Sequence, residues 1–334
     1  MSGDKAPMCN INGAIRYINN TLSRDNKVVL YGSKNIYKNN SKLIDKYKSR
    51  LFFKITNEVV DMNDKPSIAF KTKRNSSLIK IVDDLNDNLV DGAVSSGNTG
   101  ALLTSALLIL GKIKGIKRPA LAPFIPIEKH GFILCDAGAN ARVKAEHLVQ
   151  FALMSSAYLE HLGFNKSPRI GLLNIGSEEN KGNDITIEAY PLLKKHLKNF
   201  IGNIESRELF DNKADIIVCD GFTGNIVLKL IEGLIKKMIK KTMRSVNSHS
   251  LSKFVKPVLY PVFKDIKKSY DYEEHGGTLL LGVNGLVMKC HGSSNEKAIE
   301  NALLKTQHSY DNKLLVDLEI LLESHSIEKN KNII

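Results

Sequence analysis

The chain has little cysteine and no pattern that would pair it. Cys9, Cys135, Cys219 and Cys290 are scattered without CxxC spacing, which excludes a disulfide framework or a zinc site and points to a reducing cytosol. Two of them end apolar runs, where cysteine behaves as a small buried hydrophobe. Long apolar runs are missing too. The longest, Ala101 to Leu110, includes Thr104 and Ser105 and falls far short of the ~20 residues that cross a bilayer. The opening Met1-Ser2-Gly3-Asp4 has no apolar segment of the signal-peptide kind, so the expectation is a soluble, cytoplasmic protein. There is no GxxxxGK followed by Ser or Thr, and no GxGxxG follows a strand. No Ser-His-Asp or Cys-His arrangement can be read, so a covalent acyl-enzyme has no visible nucleophile. Metal and cofactor signatures are likewise absent.

What is present is enough for a real core. With 334 residues, 43% hydrophobic and 25% charged, the chain can build one large α/β domain or two intimate ones. The net charge of +13 invites a nucleic-acid reading, but its distribution argues against one. Residues 229–268 hold eleven Lys/Arg against two acids, Glu232 and Asp265, so most of the excess is one patch.

The N-terminal third predicts a helix at 12–22 and a strand at 28–31. From residue 90 onward the pattern sharpens. Short β-branched runs ending at Val94, Cys135, Leu173 and Cys219 each enter a polar, glycine-containing loop and then a helix, the rhythm of βα units on a parallel sheet. The segment 279–289 reads as paired strands around Asn284-Gly285 and delivers Cys290-His291-Gly292-Ser293-Ser294. These loops, expected at one edge of one sheet, place Ser, Thr, Asn and Gly at helix starts, where free N–H groups and the helix dipole favour anions. Ser95 to Gly100 and Asp220 to Asn225 are the best such places. Each alone is equally an N-cap behind a tight turn; together they suggest an anion site. Lys181, between Asn180 and Gly182 and near Glu178 and Glu179, is either its cation or a solvated lysine. His291 is a possible acid/base or anion contact, and His147 reads as a core histidine.

These motifs resemble a known family. Met1-Ser2-Gly3-Asp4-Lys5-Ala6-Pro7, Ser95-Ser96-Gly97-Asn98-Thr99-Gly100-Ala101, Asp136-Ala137-Gly138-Ala139-Asn140, Lys181-Gly182-Asn183, Asp220-Gly221-Phe222-Thr223-Gly224-Asn225 and His291-Gly292-Ser293-Ser294 resemble, in order, the bacterial acyl-acyl-carrier-protein:phosphate acyltransferases of the PlsX family. The resemblance implies that inorganic phosphate attacks the thioester of a fatty acyl group on acyl carrier protein, without an acyl-enzyme. The acyl phosphate formed would feed phospholipid synthesis through a membrane glycerol-phosphate acyltransferase. It also implies a homodimer and a three-layer α/β/α sandwich like phosphotransacetylase and the isocitrate/isopropylmalate dehydrogenases. Carried over, Lys181 and Asn225 are expected to be catalytic, and Ser95, Asn98, Thr99, Asp220, Thr223, His291 and Ser293 to bind phosphate or substrate, with Asp220 orienting its neighbours. Three departures stand out. The family opens with a short apolar strand that this chain, starting at the glycine-aspartate motif, does not show. Its Val-Asp-Cys-Lys-Pro is Ala141-Arg142-Val143-Lys144-Ala145 here, and its Tyr-Gly-Gly is His275-Gly276-Gly277.

The remaining signal is the basic helix, expected over 230–244. Leu230, Ile231, Leu234, Ile235, Met238, Ile239 and Met243 form one stripe, with Lys236, Lys237, Lys240, Lys241 and Arg244 around it. With a second arm, 254–266, it predicts a protruding hairpin over 226–270. Leu234, Ile235, Met238 and Ile239 would contact an anionic membrane surface, or the hairpin would pack on the core; the basic surface also suits an acidic carrier protein. Residues 1–322 read as one catalytic domain and 323–334 as a polar, frayed tail. Two other functions fit the sequence: a small-acyl phosphotransacetylase using coenzyme A, and a non-catalytic lipid- or nucleic-acid-binding protein.

Overall fold

The structure is a computed structural model, described over residues 1–127, 130–164, 167–248, 261 and 276–331. In chain order it opens with α1 (Met8–Asn20), β1 (Val28–Gly32), α2 (Lys34–Asp45), β2 (Leu51–Ile55), α3 (Pro66–Thr72), α4 (Ser77–Asn86), β3 (Gly92–Ser95) and α5 (Thr99–Ser105). A π-helical turn, Ala106–Leu110, extends α5. Then come β4 (Ala120–Leu121), β5 (Phe124–Ile127), β6 (His130–Cys135), α6 (Ala145–His161), β7 (Ile170–Asn174), α7 (Asp184–His196), β8 (Phe200–Glu205) and β9 (Ile216–Val218). The last elements are α8 (Gly221–Ser248), β10 (Thr278–Leu281), β11 (Leu286–Lys289), α9 (Glu296–Asp311) and α10 (Leu314–Lys331). This is a mixed α/β protein with parallel sheets.

Residue contacts divide the chain into two compact units. The first comprises Met1–Ala122, Leu153–Lys166 and His275–Ile334; the second comprises Pro123–Ala152 and Ser167–Glu274. In the first, β1 and β2 form a parallel pair, while β3, β11, β10 and β4 form a separate sheet in that order. β3 and β11 are parallel, and β10 runs antiparallel to β11 and β4, so the expected strand pair around Asn284-Gly285 is present. Helix α1 packs closely on α9. Gly13 lies so near α9 that a Cβ there would fall 2.6 Å from Ile299 Cβ, so only glycine permits this approach. The sequence predicts a helix over 296–304, and the spacing of Ala298, Ile299, Ala302, Thr306 and Ser309, all buried, carries α9 on to Asp311.

The second unit holds a five-stranded sheet, β5-β6-β9-β7-β8. Its four central and outer strands β6, β9, β7 and β8 are mutually parallel, and β5 is an antiparallel edge. Phe132, Ile133, Leu134 and Cys135 are all fully buried, the continuous apolar run of a strand covered on both faces. Burying such side chains contributes about 1.5–3 kcal/mol each.

Two expectations are corrected. The four βα loops do not share one sheet: the loop after β3 belongs to the β3-β11-β10-β4 sheet, because Gly92–Ser95 pair with Leu286–Lys289 instead of joining β6 and β9. The tail is not frayed over its described part, since α10 continues to Lys331. Leu314, Leu318 and Leu322 recur every four residues on the buried side of its first half, and that spacing anchors the helix ahead of residue 323. The proposed second hairpin arm, 254–266, lies outside the described residues apart from position 261. No helix among the described residues is long and apolar enough to cross a membrane.

Candidate active site

In the second unit, parallel pairing places the loops after β6, β9 and β7 at the same, carboxyl edge of one sheet, where such folds collect ligand groups. The loop after β6 is built on Asp136. Its fully buried carboxylate accepts N–H bonds from Gly138 at 3.2 Å, Ala139 at 3.0 Å and Asn140 at 2.7 Å, and from Asn140 Nδ2 at 2.9 Å. A buried charge held by four donors is a rigid anchor. The start of α8 packs against this loop: Gly221 N–H donates to the Asn140 carbonyl at 2.9 Å. A Cβ on Gly224 would sit 1.9 Å from the Asp136 carbonyl oxygen, so both glycines of the motif are there for close backbone approach. Gly138, at φ +126°, faces Asn225, whose Cγ would lie 3.5 Å from a Cβ there. The Asn225 amide is thereby placed over the Asp136 loop.

Asp220 caps α8. Its carboxylate accepts from the N–H groups of Phe222 at 3.0 Å and Thr223 at 2.9 Å and from Thr223 Oγ1 at 2.6 Å. Asp220 therefore orients its neighbours, and two of the N–H groups the sequence offered to an external anion are already bonded to it. That leaves side-chain donors as the available ones on this loop.

Lys181 stands on the loop between β7 and α7 and is exposed. Its carbonyl accepts from Asn174 Nδ2 at 2.9 Å and its N–H donates to the Glu178 carbonyl at 3.1 Å, so its backbone is fixed. Glu179 is engaged by Lys194 at 2.8 Å, and among the described residues the Lys181 ammonium has no ion-pair partner. Gly182, at φ +110°, turns the chain so that Asn183 can cap α7 by accepting from Thr186 N–H at 3.0 Å.

The other expected residues lie in the first unit. Ser95 Oγ accepts from Gly97 N–H at 3.2 Å. Asn98 caps α5 through Ala101 N–H at 3.0 Å, and its Nδ2 donates to the carbonyls of Asp61, Met62 and Asp64 at 3.0–3.1 Å. Asn98 is thus a buried clamp on residues 61–64, and Thr99 opens α5, half-buried. The glycine-aspartate motif joins this loop to the histidine loop: Ser96 Oγ donates to the Ser2 carbonyl at 2.8 Å, and Asp4 N–H donates to the Gly292 carbonyl at 2.7 Å. His291 Nδ1 accepts from Ser293 N–H at 3.2 Å and lies 2.7 Å from Ser293 Oγ, which puts the proton of the neutral ring on Nε2. His147 is buried, with Nδ1 accepting from Lys144 N–H at 3.1 Å, in keeping with its reading as a core histidine. Sequence reasoning did not single out Lys289, which is buried just before the histidine loop and pushed down to about 8 by that burial. Its place in an apolar strand gave no signal of it.

Four cysteines are free and buried. Burial pushes the Cys219 thiol well up and Cys290 to about 12, and raises Cys9. None of these three is a ready thiolate.

Helix α8 carries apolar residues on two sides. Val227, Leu228 and Ile231 pack on the sheet core. Ile226, Leu230, Leu234 and Met238, spaced by four, are 51–64% exposed, with Ile235 and Ile239 half-buried beside them and Lys237, Lys240, Lys241 and Arg244 exposed.

The family model of the fatty acid synthesis proteins matches residues 1–315. The chain belongs to that family. It is 39% identical over 334 residues to the putative phosphate acyltransferase of Clostridium perfringens strain 13, covering all of this chain and 98% of the relative. It is 45% identical over 305 residues to the phosphate acyltransferase of Dictyoglomus thermophilum, covering 91% and 90%. Its fold is similar to that of a phosphotransacetylase from Streptococcus pyogenes, with a TM-score of 0.54 at 15% identity, covering 92% and 99%. The family of the sequence motifs is therefore the right one, and the chain is an acyltransferase that acts with phosphate.

Proposed function

We propose that the chain transfers a fatty acyl group from the thioester of acyl carrier protein directly to inorganic phosphate, giving acyl phosphate and the free carrier thiol. The observation that carries this reading is the shared sheet edge of the second unit, where a lysine with no ion-pair partner among the described residues, an asparagine beside Gly138 and the Asp136 loop emerge from adjacent parallel strands. Phosphate is already a nucleophile, so the reaction needs positioning and charge stabilisation in place of an activated side chain. The Lys181 ammonium balances the charge of phosphate and of the oxyanion that develops on the thioester carbonyl. Asn225 donates to that oxyanion or to phosphate. Asp220 and Thr223 hold the loop, and Asn98, Thr99, Ser95, His291 and Ser293 serve substrate binding in the first unit. Raised, buried thiols at Cys219 and Cys290 favour direct attack over a cysteinyl intermediate.

The assay compares phosphate-dependent thiol release from palmitoyl-carrier protein with that from acetyl-coenzyme A. Release from the carrier substrate is expected; release from acetyl-coenzyme A alone would assign the chain to small-acyl transfer. Removing one preorganised donor of this kind lowers kcat about 10²–10³-fold, so Lys181→Ala and Asn225→Ala should each lose that much. Full activity of Lys181→Ala would overturn the site.

We also propose that α8 is the first arm of a hairpin that rests on anionic lipid. The exposed stripe Ile226, Leu230, Leu234 and Met238 flanked by basic residues supports this, each nearby Lys or Arg contributing ~1 kcal/mol. An amphiphilic acyl phosphate would then be released where a membrane enzyme can use it.

A further inference from the structure

Asn203, in β8, is a buried polar side chain remote in sequence from the Lys181 loop. It is 8% exposed, and among the described residues its Oδ1 has no hydrogen-bond partner. A buried acceptor left unmatched costs stability, and such a group in a folded protein calls for a reason.

The strand is shaped to put it there. Ile170 lies opposite Phe200, but the next residue, Gly171, lies opposite Gly202. Ile201 is therefore an extra residue, a β-bulge, followed by Gly202 at φ +102°. Side chains alternate between the faces of a sheet, so a one-residue shift turns every later side chain over. With the bulge, Ile204 joins Leu173 in the core beneath α8. Asn203 turns with Leu172 to the opposite face.

On that face its Nδ2 donates to the Glu178 carbonyl at 2.7 Å, on the loop between β7 and α7. Turning the amide over would set Oδ1 against that carbonyl oxygen, which fixes its orientation. The same carbonyl accepts the Lys181 N–H at 3.1 Å. One oxygen thus ties a side chain of β8 to the backbone of the lysine. The Lys181 carbonyl is held in turn by Asn174 Nδ2 at 2.9 Å, at the end of β7. The lysine stem runs over Gly176, where a Cβ would fall 3.1 Å from Lys181 Cγ. Two asparagines on adjacent parallel strands therefore bracket the lysine.

An apolar side chain of similar shape at position 203 would remove the unmatched acceptor and leave the Glu178 carbonyl its bond from Lys181. For stability alone such a residue would serve as well. What it would lose is the tie between the sheet and the loop.

We propose that Asn203 is a positioning residue, which acts through Lys181 by fixing the loop that carries it. This rests on the reading of Lys181 as the cation of the reaction.

The test measures phosphate-dependent thiol release from palmitoyl-carrier protein, and thermal unfolding, for Asn203→Leu, Lys181→Ala and the double variant. A displacement of about 1 Å lowers a positioned reaction up to about 10²-fold, so kcat of Asn203→Leu should fall about 10–100-fold. Its unfolding midpoint should match or exceed that of the native chain, an outcome that a purely structural asparagine would not give. In the Lys181→Ala background the same substitution should change kcat less than about twofold, because residues that act through one another are not additive. Asn203→Ala, measured alongside, should repeat the loss of activity if the leucine variant does not fold. Three results would each overturn the proposal: native activity in Asn203→Leu, an equal loss in both backgrounds, or failure of both Asn203 variants to fold, which would assign the residue to the core. Full activity of Lys181→Ala is a separate outcome. It removes the reading of the lysine, and this proposal with it, whatever the Asn203 variants do.

Discussion

Gly182→Ala tests whether the Lys181 loop is a built part of the site. Gly182 sits at φ +110°, a conformation that costs a side-chain-bearing residue about 1–3 kcal/mol. The added Cβ would also fall 2.0 Å from Thr186 Oγ1 and 2.5 Å from Asn174 Oδ1. Neither atom is idle: Thr186 Oγ1 donates to the Asn183 carbonyl at 2.9 Å, and Asn174 Oδ1 accepts from Ile175 N–H at 2.8 Å while its Nδ2 holds the Lys181 carbonyl. Losing the bonds of these two crowded atoms adds roughly 0.5–1.5 kcal/mol each, so keeping the native loop would cost about 2–6 kcal/mol. The loop is exposed and can escape that cost by moving, which displaces Lys181. A shift of about 1 Å lowers a positioned reaction up to about 10²-fold. Phosphate-dependent thiol release by Gly182→Ala should therefore fall about 10–100-fold, while thermal unfolding shows at most a few degrees of change. An enzyme with wild-type activity would show that Lys181 need not be where this loop puts it.

Further outcomes follow from other parts of the structure. Asp136→Asn would place an NH₂ group among four donors and should destabilise the protein by about 3 kcal/mol, read from denaturant unfolding. Iodoacetamide at pH 8 should leave activity intact, because the raised, buried thiols of Cys219 and Cys290 are not attacked; rapid inactivation would reopen a cysteine mechanism. Lys289 is lowered by burial to about 8, so the unfolded chain binds the extra proton between there and the ordinary lysine value. Its contribution to stability is then unfavourable at neutral pH and vanishes as pH rises from about 8 to 10. Lys289→Met should flatten that rise and stabilise the protein at pH 7 by up to about 3 kcal/mol; an unchanged pH profile would count against it. Leu234→Glu with Ile235→Glu should abolish co-sedimentation with anionic vesicles while circular dichroism stays native, and retained co-sedimentation would refute the lipid-facing stripe.

Much of the second unit was legible because its signals are local. The apolar run before Asp136 and the glycine-asparagine turns after β6, β7 and β9 identify parallel strands and helix starts without knowledge of partners. Which strands join which sheet was not legible: Gly92–Ser95 look like Ile216–Val218 in sequence, and only pairing with Leu286–Lys289, nearly two hundred residues on, separates them. Side-chain commitments were hidden for the same reason. Asn98 has the composition of an anion contact, and its clamp on residues 61–64 depends on a loop that sequence spacing does not bring near. Asp220 was read as an orienting residue, and its short bonds to Thr223 need only the helix start that the sequence predicts.

The most direct test of the central claim mixes palmitoyl-carrier protein with ¹⁸O-labelled inorganic phosphate and traps the product with hydroxylamine or analyses it by mass. Direct transfer predicts one palmitoyl phosphate, retaining the labelled oxygens, for each carrier thiol released, and no thiol release when phosphate is omitted. A stoichiometric burst of thiol without phosphate, leaving palmitate on the protein, would contradict it.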